Sequence, residues 1–237
     1  MKLDEVKTVA YTEREELLNC ITHALGFVLS FLILKDCVLP AWKISDTIRM
    51  ICAVLYFLGT TAMFAVSVMY HAAKGEKKKK ILRILDHCVV FFAVSGTASG
   101  CVPAVFDTVG TAAAVLMLIS AWLGAAGGLF VSFLGFEKWK AVKMIIYILT
   151  ALVCAVCGAK AYFVLPIGAF FAFLGGSSLL IVGLVFYGMG RTRRYYHAIF
   201  HFFILAGLFV YWLGISGYCY QPLVTVSFNA AAIPTAP

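Results

Sequence analysis

The sequence predicts an all-α protein: a bundle of seven transmembrane helices with its N-terminus in the cytoplasm and its C-terminus outside. Composition is the first observation, since the chain is 63% hydrophobic with a mean hydropathy of +0.97. Only 13% of its residues are charged, against about 25% in soluble domains. The other two observations are the length of the uncharged stretches and the uneven placement of Lys and Arg.

Uncharged stretches long enough to cross a membrane recur along the chain, and about 18 or more apolar residues in a row are typical of a span. These stretches cover 50–70, 108–136, 161–190 and 195–237. Together with three apolar runs that carry charges near one end, they predict helices at 16–39, 46–73, 81–106, 108–134, 142–159, 162–187 and 195–218.

Short connections join the predicted helices and leave no room for a folded domain outside the membrane. The sequence therefore predicts a single transmembrane domain over 1–237. Within it we expect a cytoplasmic segment at 1–15, helices over about 16–218 and an external tail at 219–237.

Positive charge divides unevenly between the two sides of the predicted bundle. Of 19 Lys and Arg residues, 15 lie in the N-terminal segment or at the connections after the second, fourth and sixth helices. Basic residues are enriched in cytoplasmic loops, so this side is predicted to face the cytoplasm of an integral, multi-pass plasma-membrane protein.

The net charge of +8 would suggest a nucleic-acid partner in a soluble protein. Here the basic residues lie in short loops between apolar spans, which indicates contact with anionic lipid headgroups at the cytoplasmic face and no nucleic acid. The four lysines at 77–80 are interpreted in the same way, as a solvated loop. No oligomeric state follows from the sequence.

Ionisable residues inside spans are costly and commonly functional. At 1.5 Å per helical residue, several lie within roughly 5–14 Å of the predicted cytoplasmic ends. Four different helices carry this set, which comprises Glu16, Asn19, His23, His71, Asp86, His197 and His201. Polar groups are therefore expected to meet at one depth.

Two spacings indicate a metal site at this depth. His197 and His201 form HxxxH, and Ser67 and His71 form SxxxH, each placing two side chains on one helix face. We predict His71, His197 and His201 as the metal ligands; three neutral imidazoles leave a fourth position for water, as in catalytic sites. Zinc fits this set best, with iron or manganese as alternatives. HxxxH alone is a weak signal, and a single buried His is more often a packing residue.

Asp86 is the predicted general base or hydrogen-bond acceptor for that water. His87 lies about 100° further round the same helix, and we favour Asp86 because a charge needs a buried partner more than an imidazole does. Glu16, Asn19 and His23 share one face of the first helix. They are interpreted either as a capped, hydrated helix start or as a supporting shell or polar entrance to the site.

Four segments together resemble the hemolysin III family, the bacterial-type members of the progestin and adipoQ receptor superfamily. They are EELLNCITHALG (15–26), SVMYH (67–71), LDH (85–87) and HAIFH (197–201). The resemblance spans nearly the whole chain and implies seven helices with the N-terminus inside. In the adipoQ receptor branch the corresponding histidines bind zinc near the cytoplasmic face, which implies zinc on His71, His197 and His201 here. Ser67 and Asp86 match the polar groups beside that metal.

The wider superfamily resembles alkaline ceramidases, which implies an intramembrane zinc hydrolase acting on an amide or ester of a ceramide-like or other acyl lipid. In that interpretation Asp86 and Ser67 are the catalytic residues: Asp86 orients or deprotonates the attacking water, and Ser67 hydrogen-bonds near the metal or the oxyanion. The chain lacks the long cytosolic N-terminal domain of the receptor branch, which argues against a hormone receptor. Two alternatives remain: a membrane-active hemolysin or cytolysin, and a sensor with a structural zinc.

Overall fold

A computed structural model describes residues 3–190 and 193–220, and the regular structure of these residues is entirely helical. Seven helical spans are long and apolar enough to cross a membrane. The predicted all-α fold with seven membrane-spanning helices is confirmed, and the chain is an integral, multi-pass membrane protein. After a first span at Glu13–Lys43, the second to seventh spans are the helices Thr47–Ala72, Glu76–Thr108, Thr111–Leu134, Lys140–Val164, Ile167–Met189 and Tyr196–Tyr218.

The first span is not one continuous α-helix, as was predicted for 16–39. It consists of an α-helix at Glu13–Ser30, a π-helical turn at Leu34–Val38 and a short α-helix at Leu39–Lys43. Pro40 occupies the start of the last piece, where the missing N–H of a proline is tolerated. The span therefore extends further than the sequence indicated.

The lysine run at 77–80 is helical, and the interpretation of this run as a loop was wrong. The third span begins at Glu76, directly after Gly75, whose φ of +89° suits glycine. Lys80 Nζ lies 2.7 Å from Glu76 Oε1, an i,i+4 pair that suits the first turns of a helix.

The boundary between the fifth and sixth spans also differs from the prediction. The fifth helix continues through Lys160 to Val164, and the sixth begins at Ile167 rather than at 162. Pro166 precedes the sixth helix, and a proline disfavours helical backbone in the residue before it. The proline, and not the charge of Lys160, ends the fifth helix.

The third span occupies the centre of the bundle. It contacts the second, fourth, fifth and seventh spans, and the first span packs between the second and the seventh. In the most apolar part of the third span 61% of the residues are buried, against 22–44% of the residues in the corresponding parts of the other spans. Residues on this helix therefore reach several neighbours at once.

The N-terminal segment and the connections after the second, fourth and sixth spans meet at one end of the bundle, called here the basic face. Val6 packs with Phe136 of the connection after the fourth span, and Glu15 accepts a hydrogen bond from the Tyr195 N–H. The predicted external tail at 219–237 lies outside the described residues from 221 onward. The segments that carry most of the Lys and Arg residues therefore lie close together in the structure.

Glycine allows the second and third spans to approach closely. A Cβ at Gly59 would overlap the Phe92 carbonyl oxygen, and one at Gly96 would lie 2.8 Å from the Leu55 carbonyl oxygen. Both obstacles are backbone atoms, which cannot move aside as a flexible side chain can. Small residues at such contacts are typical of transmembrane helix pairs.

Gly59→Ala is expected to lower the stability of the purified protein, because the added methyl group forces the second and third spans apart. Overpacking of this kind costs about 1–3 kcal/mol. Gly127→Ala is the matched control, since a Cβ at Gly127 meets nothing within 4 Å. Thermal unfolding in detergent measures both, and equal melting temperatures for the two variants would contradict the close-contact account.

Candidate metal centre

The start of the first span is set by a reciprocal capping box. Thr12 accepts a hydrogen bond from the Glu15 N–H, and the Glu15 carboxylate accepts from the Thr12 N–H at 2.9 Å. Glu15 also accepts from the Tyr195 N–H at 2.8 Å, just before the seventh span. These bonds fix the register of the first helix against the seventh, and with it the positions of Glu16, Asn19 and His23.

His71, near the end of the second span, is held by the first span. Its side chain is fully buried, and Glu16 Oε2 lies 2.6 Å from its Nδ1. A carboxylate accepts only, so Nδ1 carries the proton and the lone pair of the imidazole is on Nε2. This Nε2 is buried and has no hydrogen-bond partner among the described residues. Lys79 forms an ion pair with the other oxygen of Glu16.

Asn19 lies beside the same nitrogen, with its Nδ2 3.3 Å from His71 Nδ1. Rotating the Asn19 amide by 180° would place Oδ1, a hydrogen-bond acceptor, next to the Nδ1 proton of His71. The two amide orientations are assigned from hydrogen-bond contacts of this kind. Asn19 is 0% exposed. The first span therefore supplies both a carboxylate and an amide to one imidazole, which favours a supporting role over a hydrated helix start.

His197 and His201 lie one turn apart on the seventh span, with their Nε2 atoms 3.0 Å apart. Tyr11 stacks on His197 at 4.9 Å between ring centres, and His23 stacks on His201 at 3.8 Å. The stacked ring of His23 lies parallel to His201, so the two rings do not direct their nitrogens at one point. His23 acts as a packing partner of the cluster in this arrangement.

One ligand nitrogen from each of His71, His197 and His201 lies within 4.8 Å of the others, and we call these three residues the histidine cluster. Two nitrogens bound to one tetrahedral zinc ion at 2.0–2.1 Å are roughly 3.3 Å apart. The observed 3.0 Å between His197 and His201 and the unpartnered Nε2 of His71 fit a zinc ion, with a small inward movement of His71. The structure thus brings together the three residues predicted as ligands.

Ser67 and Asp86 also meet at this site. Ser67 is one turn before His71 and 1% exposed, and it lies close to the Asp86 carboxylate. His71 is close enough to Asp86 to interact with its charge. The two residues predicted to be catalytic therefore lie against the histidine cluster, on the second and third spans.

A small cavity of about 30 Å³ opens beside the cluster on the basic face, lined by Asp86, His87 and His197 together with Tyr11, Tyr70 and Arg83 among others. A cavity needs roughly 10–15 Å³ per water molecule when measured in this way. The space therefore suits two or three waters beside the Asp86 carboxylate and the His197 imidazole. His87 reaches the cavity as well, while its Nδ1–H donates to the Arg83 carbonyl at 2.9 Å.

Tyr11 is a site residue that the sequence analysis did not identify. Burial, together with the nearby Tyr70 and Glu16, raises the pKa of the Tyr11 phenol well above its usual value, so the hydroxyl stays protonated. Its ring covers His197 and its side chain lines the small cavity. A single aromatic residue in a polar segment just before the Thr12 cap was the only available signal.

Comparisons with known proteins identify the family of this chain. Residues 11–212 match the family model described as "Haemolysin-III related". The chain belongs to this family. The matched segment begins at Tyr11 and contains every residue of the histidine cluster, together with Ser67 and Asp86.

Relatives of this haemolysin-III related chain occur in bacteria and in mammals. It is 23% identical to the "Hemolysin-3 homolog" of Bacillus subtilis (88% of this chain, 96% of the relative) and 25% identical to the "Hemolysin-3" of Bacillus cereus (82% and 87%). It is also 27% identical to the human "Monocyte to macrophage differentiation factor", over 87% of this chain and 85% of the relative. The predicted family membership is confirmed.

Proposed function

We propose that this chain is an intramembrane zinc hydrolase that cleaves an amide or ester bond of a membrane lipid, ceramide-like or another acyl lipid. The observation that carries the proposal is the convergence of His71, His197 and His201 next to the Ser67–Asp86 pair and a water-sized cavity. A ligand set alone would suit a structural ion. A ligand set beside a carboxylate and space for water suits hydrolysis.

Zinc would be held by His71, His197 and His201, and when bound it supplies a Lewis acid that polarises a carbonyl group and makes water more acidic. Glu16 keeps the proton of His71 on Nδ1 and so leaves Nε2 available to the ion. A carboxylate on the outer nitrogen of a ligand histidine also fixes the orientation of the ring. The charge of Glu16 is in turn balanced by Lys79.

Asp86 is the proposed proton acceptor. It lines the small cavity and is the acid in reach of a water placed there, so it can take a proton from water and return it to the leaving nitrogen or oxygen. Ser67, which lies close to the Asp86 carboxylate, is the proposed partner that orients it. Tyr11 also lines the cavity, and its protonated phenol is a further proposed hydrogen-bond donor there.

Two other functions are compatible with membership of this family. A sensor with a structural zinc is less favoured, because structural zinc sites have four protein ligands and no open position. A cytolysin, which the name of the Bacillus cereus relative suggests, would need a form that leaves the membrane, and all seven spans are apolar. Neither alternative accounts for Asp86 beside the cavity.

The first prediction concerns metal content. Detergent-purified wild-type protein supplied with zinc is expected to bind about one zinc ion per chain, measured by elemental mass spectrometry, and His197→Ala/His201→Ala is expected to lose it. His87→Ala is the control, because His87 lies outside the histidine cluster. Wild-type protein without zinc, or a double variant that retains it, would overturn the proposal.

A second prediction compares the effects of Glu16 and of the exposed Glu13 on zinc affinity. Glu16→Gln removes the charge that holds the His71 proton, so zinc affinity should fall by about 10–100-fold. Glu13→Gln removes the same charge from an exposed position of the same helix and should leave affinity unchanged. Competition with a chelator of known affinity measures both, and equal affinities for the two variants would argue against the Glu16–His71 contact.

The third prediction tests catalysis. Asp86→Asn keeps the shape of the side chain but cannot accept the proton, so hydrolysis of acyl lipids should fall by about 10²–10⁴-fold, with zinc content unchanged. Release of fatty acid from a panel of amide and ester lipids is the measurement. Zinc-loaded wild-type protein that turns over no lipid in the panel would support the sensor. Lysis of red cells by the His197→Ala/His201→Ala variant would support the cytolysin.

A further inference from the structure

A second, larger pocket lies on the basic face next to the small cavity. Its volume is about 530 Å³, within the range of roughly 300–1,000 Å³ typical of small-molecule sites. Four cationic side chains and one carboxylate line it: Lys7, Arg83, Lys138, Lys140 and Glu137, with Val9 completing the wall. We call it the cation pocket.

The connection after the fourth span is held in place by Phe136. This side chain is 4% exposed, and it lies between two cations, with Lys143 Nζ 4.0 Å and the Arg83 guanidinium 5.3 Å from the ring centre. Lys143 also donates to the Phe136 carbonyl at 2.9 Å. Anchoring of this kind holds the backbone that carries Glu137, Lys138 and Lys140, while the two lysine side chains are exposed at the pocket.

The opposite wall is the N-terminal segment. Val6 is 2% exposed and packs with Ile84, Cys88 and Phe136, which places the neighbouring Lys7 and Val9 along the rim of the pocket. At the base, Arg83 forms an ion pair with Glu137 at 2.5 Å. This pair neutralises the only carboxylate of the lining, and the remaining charge of Lys7, Lys138 and Lys140 has no matching anion in the lining.

The cation pocket adjoins the proposed reaction site. Val9 and Arg83 line both it and the small cavity that contains Asp86 and His197. A molecule with an anionic group among the lysines would therefore lie within one side chain of the histidine cluster. The pocket is on the face predicted to be cytoplasmic, at the ends of the spans, where anionic lipid headgroups are expected.

We propose that the cation pocket binds a phosphoryl group, and that the lipid cleaved by this protein carries one on its headgroup. The second half of the statement rests on the hydrolase proposed above. Three lysines that line one pocket suit a group with two negative charges, whereas the headgroup of a ceramide carries no charge and would leave them unmatched. The specificity-determining residues are Lys7, Lys138 and Lys140.

The experiment measures binding, so that it does not depend on turnover. Full-length protein in a neutral detergent is titrated with dioleoyl phosphatidic acid and, separately, with dioleoyl phosphatidylcholine, and dissociation constants are read by native mass spectrometry. Lys7→Gln/Lys138→Gln/Lys140→Gln removes the pocket charge. Lys74→Gln/Lys77→Gln/Lys78→Gln removes the same charge from exposed positions of the basic face outside the pocket.

We expect wild-type protein to prefer phosphatidic acid, and the pocket variant to weaken that binding by at least about tenfold, while the control variant changes it by less than about twofold. Equal losses of affinity in the two variants would show that binding depends only on the general surface charge, which would overturn the proposal. Equal affinity of the wild-type protein for phosphatidylcholine would overturn it as well.

Inorganic phosphate distinguishes the two sources of the phosphoryl group. If phosphate alone competes weakly, at millimolar concentration, the site takes its ligand as a lipid; if phosphate binds as tightly as phosphatidic acid, the ligand is a soluble phosphate compound. The titration is repeated in His197→Ala/His201→Ala. Binding that survives there shows that the pocket is independent of the metal site, so that a failure of the hydrolase proposal and a failure of this one give different results.

Discussion

The contact between the Glu16 carboxylate and the His71 imidazole is the interaction on which the candidate site depends. It joins the first span to the second, and it decides which nitrogen of His71 keeps a free lone pair. Without it, one of the three imidazoles whose ligand nitrogens lie within 4.8 Å of one another would lose the carboxylate that orients it. An arrangement of this kind is costly in an apolar environment unless a ligand or a hydrogen bond satisfies it.

Much of the basic face serves to hold that contact. The capping box at Thr12 and the bond from Tyr195 to Glu15 set the register of the first span, and Lys79 balances the charge of Glu16. The N-terminal segment then continues across the bundle, where Tyr11 covers His197 and Val6 packs beside Phe136. One short stretch of chain therefore closes the histidine cluster and forms a wall of the cation pocket.

The sequence predicted most of the fold because a membrane makes the pattern simple. Spans must be long and apolar, and charge must collect between them. The errors came where a single residue outweighed that pattern. Pro166 ends the fifth helix beyond Lys160, and Gly75 lets the third helix begin ahead of the lysine run. At the site, HxxxH and SxxxH identified residues that the structure brings together, since i,i+4 spacing places side chains on one face.

By itself, the sequence determined the seven spans, the basic face and the residue types that could hold a metal, because all of these follow from composition and helical periodicity. Only the tertiary structure decided which partners those residues meet. Three features depend on contacts between distant segments. Glu16 holds His71, Tyr11 covers His197, and Arg83 lines both the small cavity and the cation pocket. They depend on how the first, third and seventh spans pack, and helical periodicity within one span carries no information about that packing.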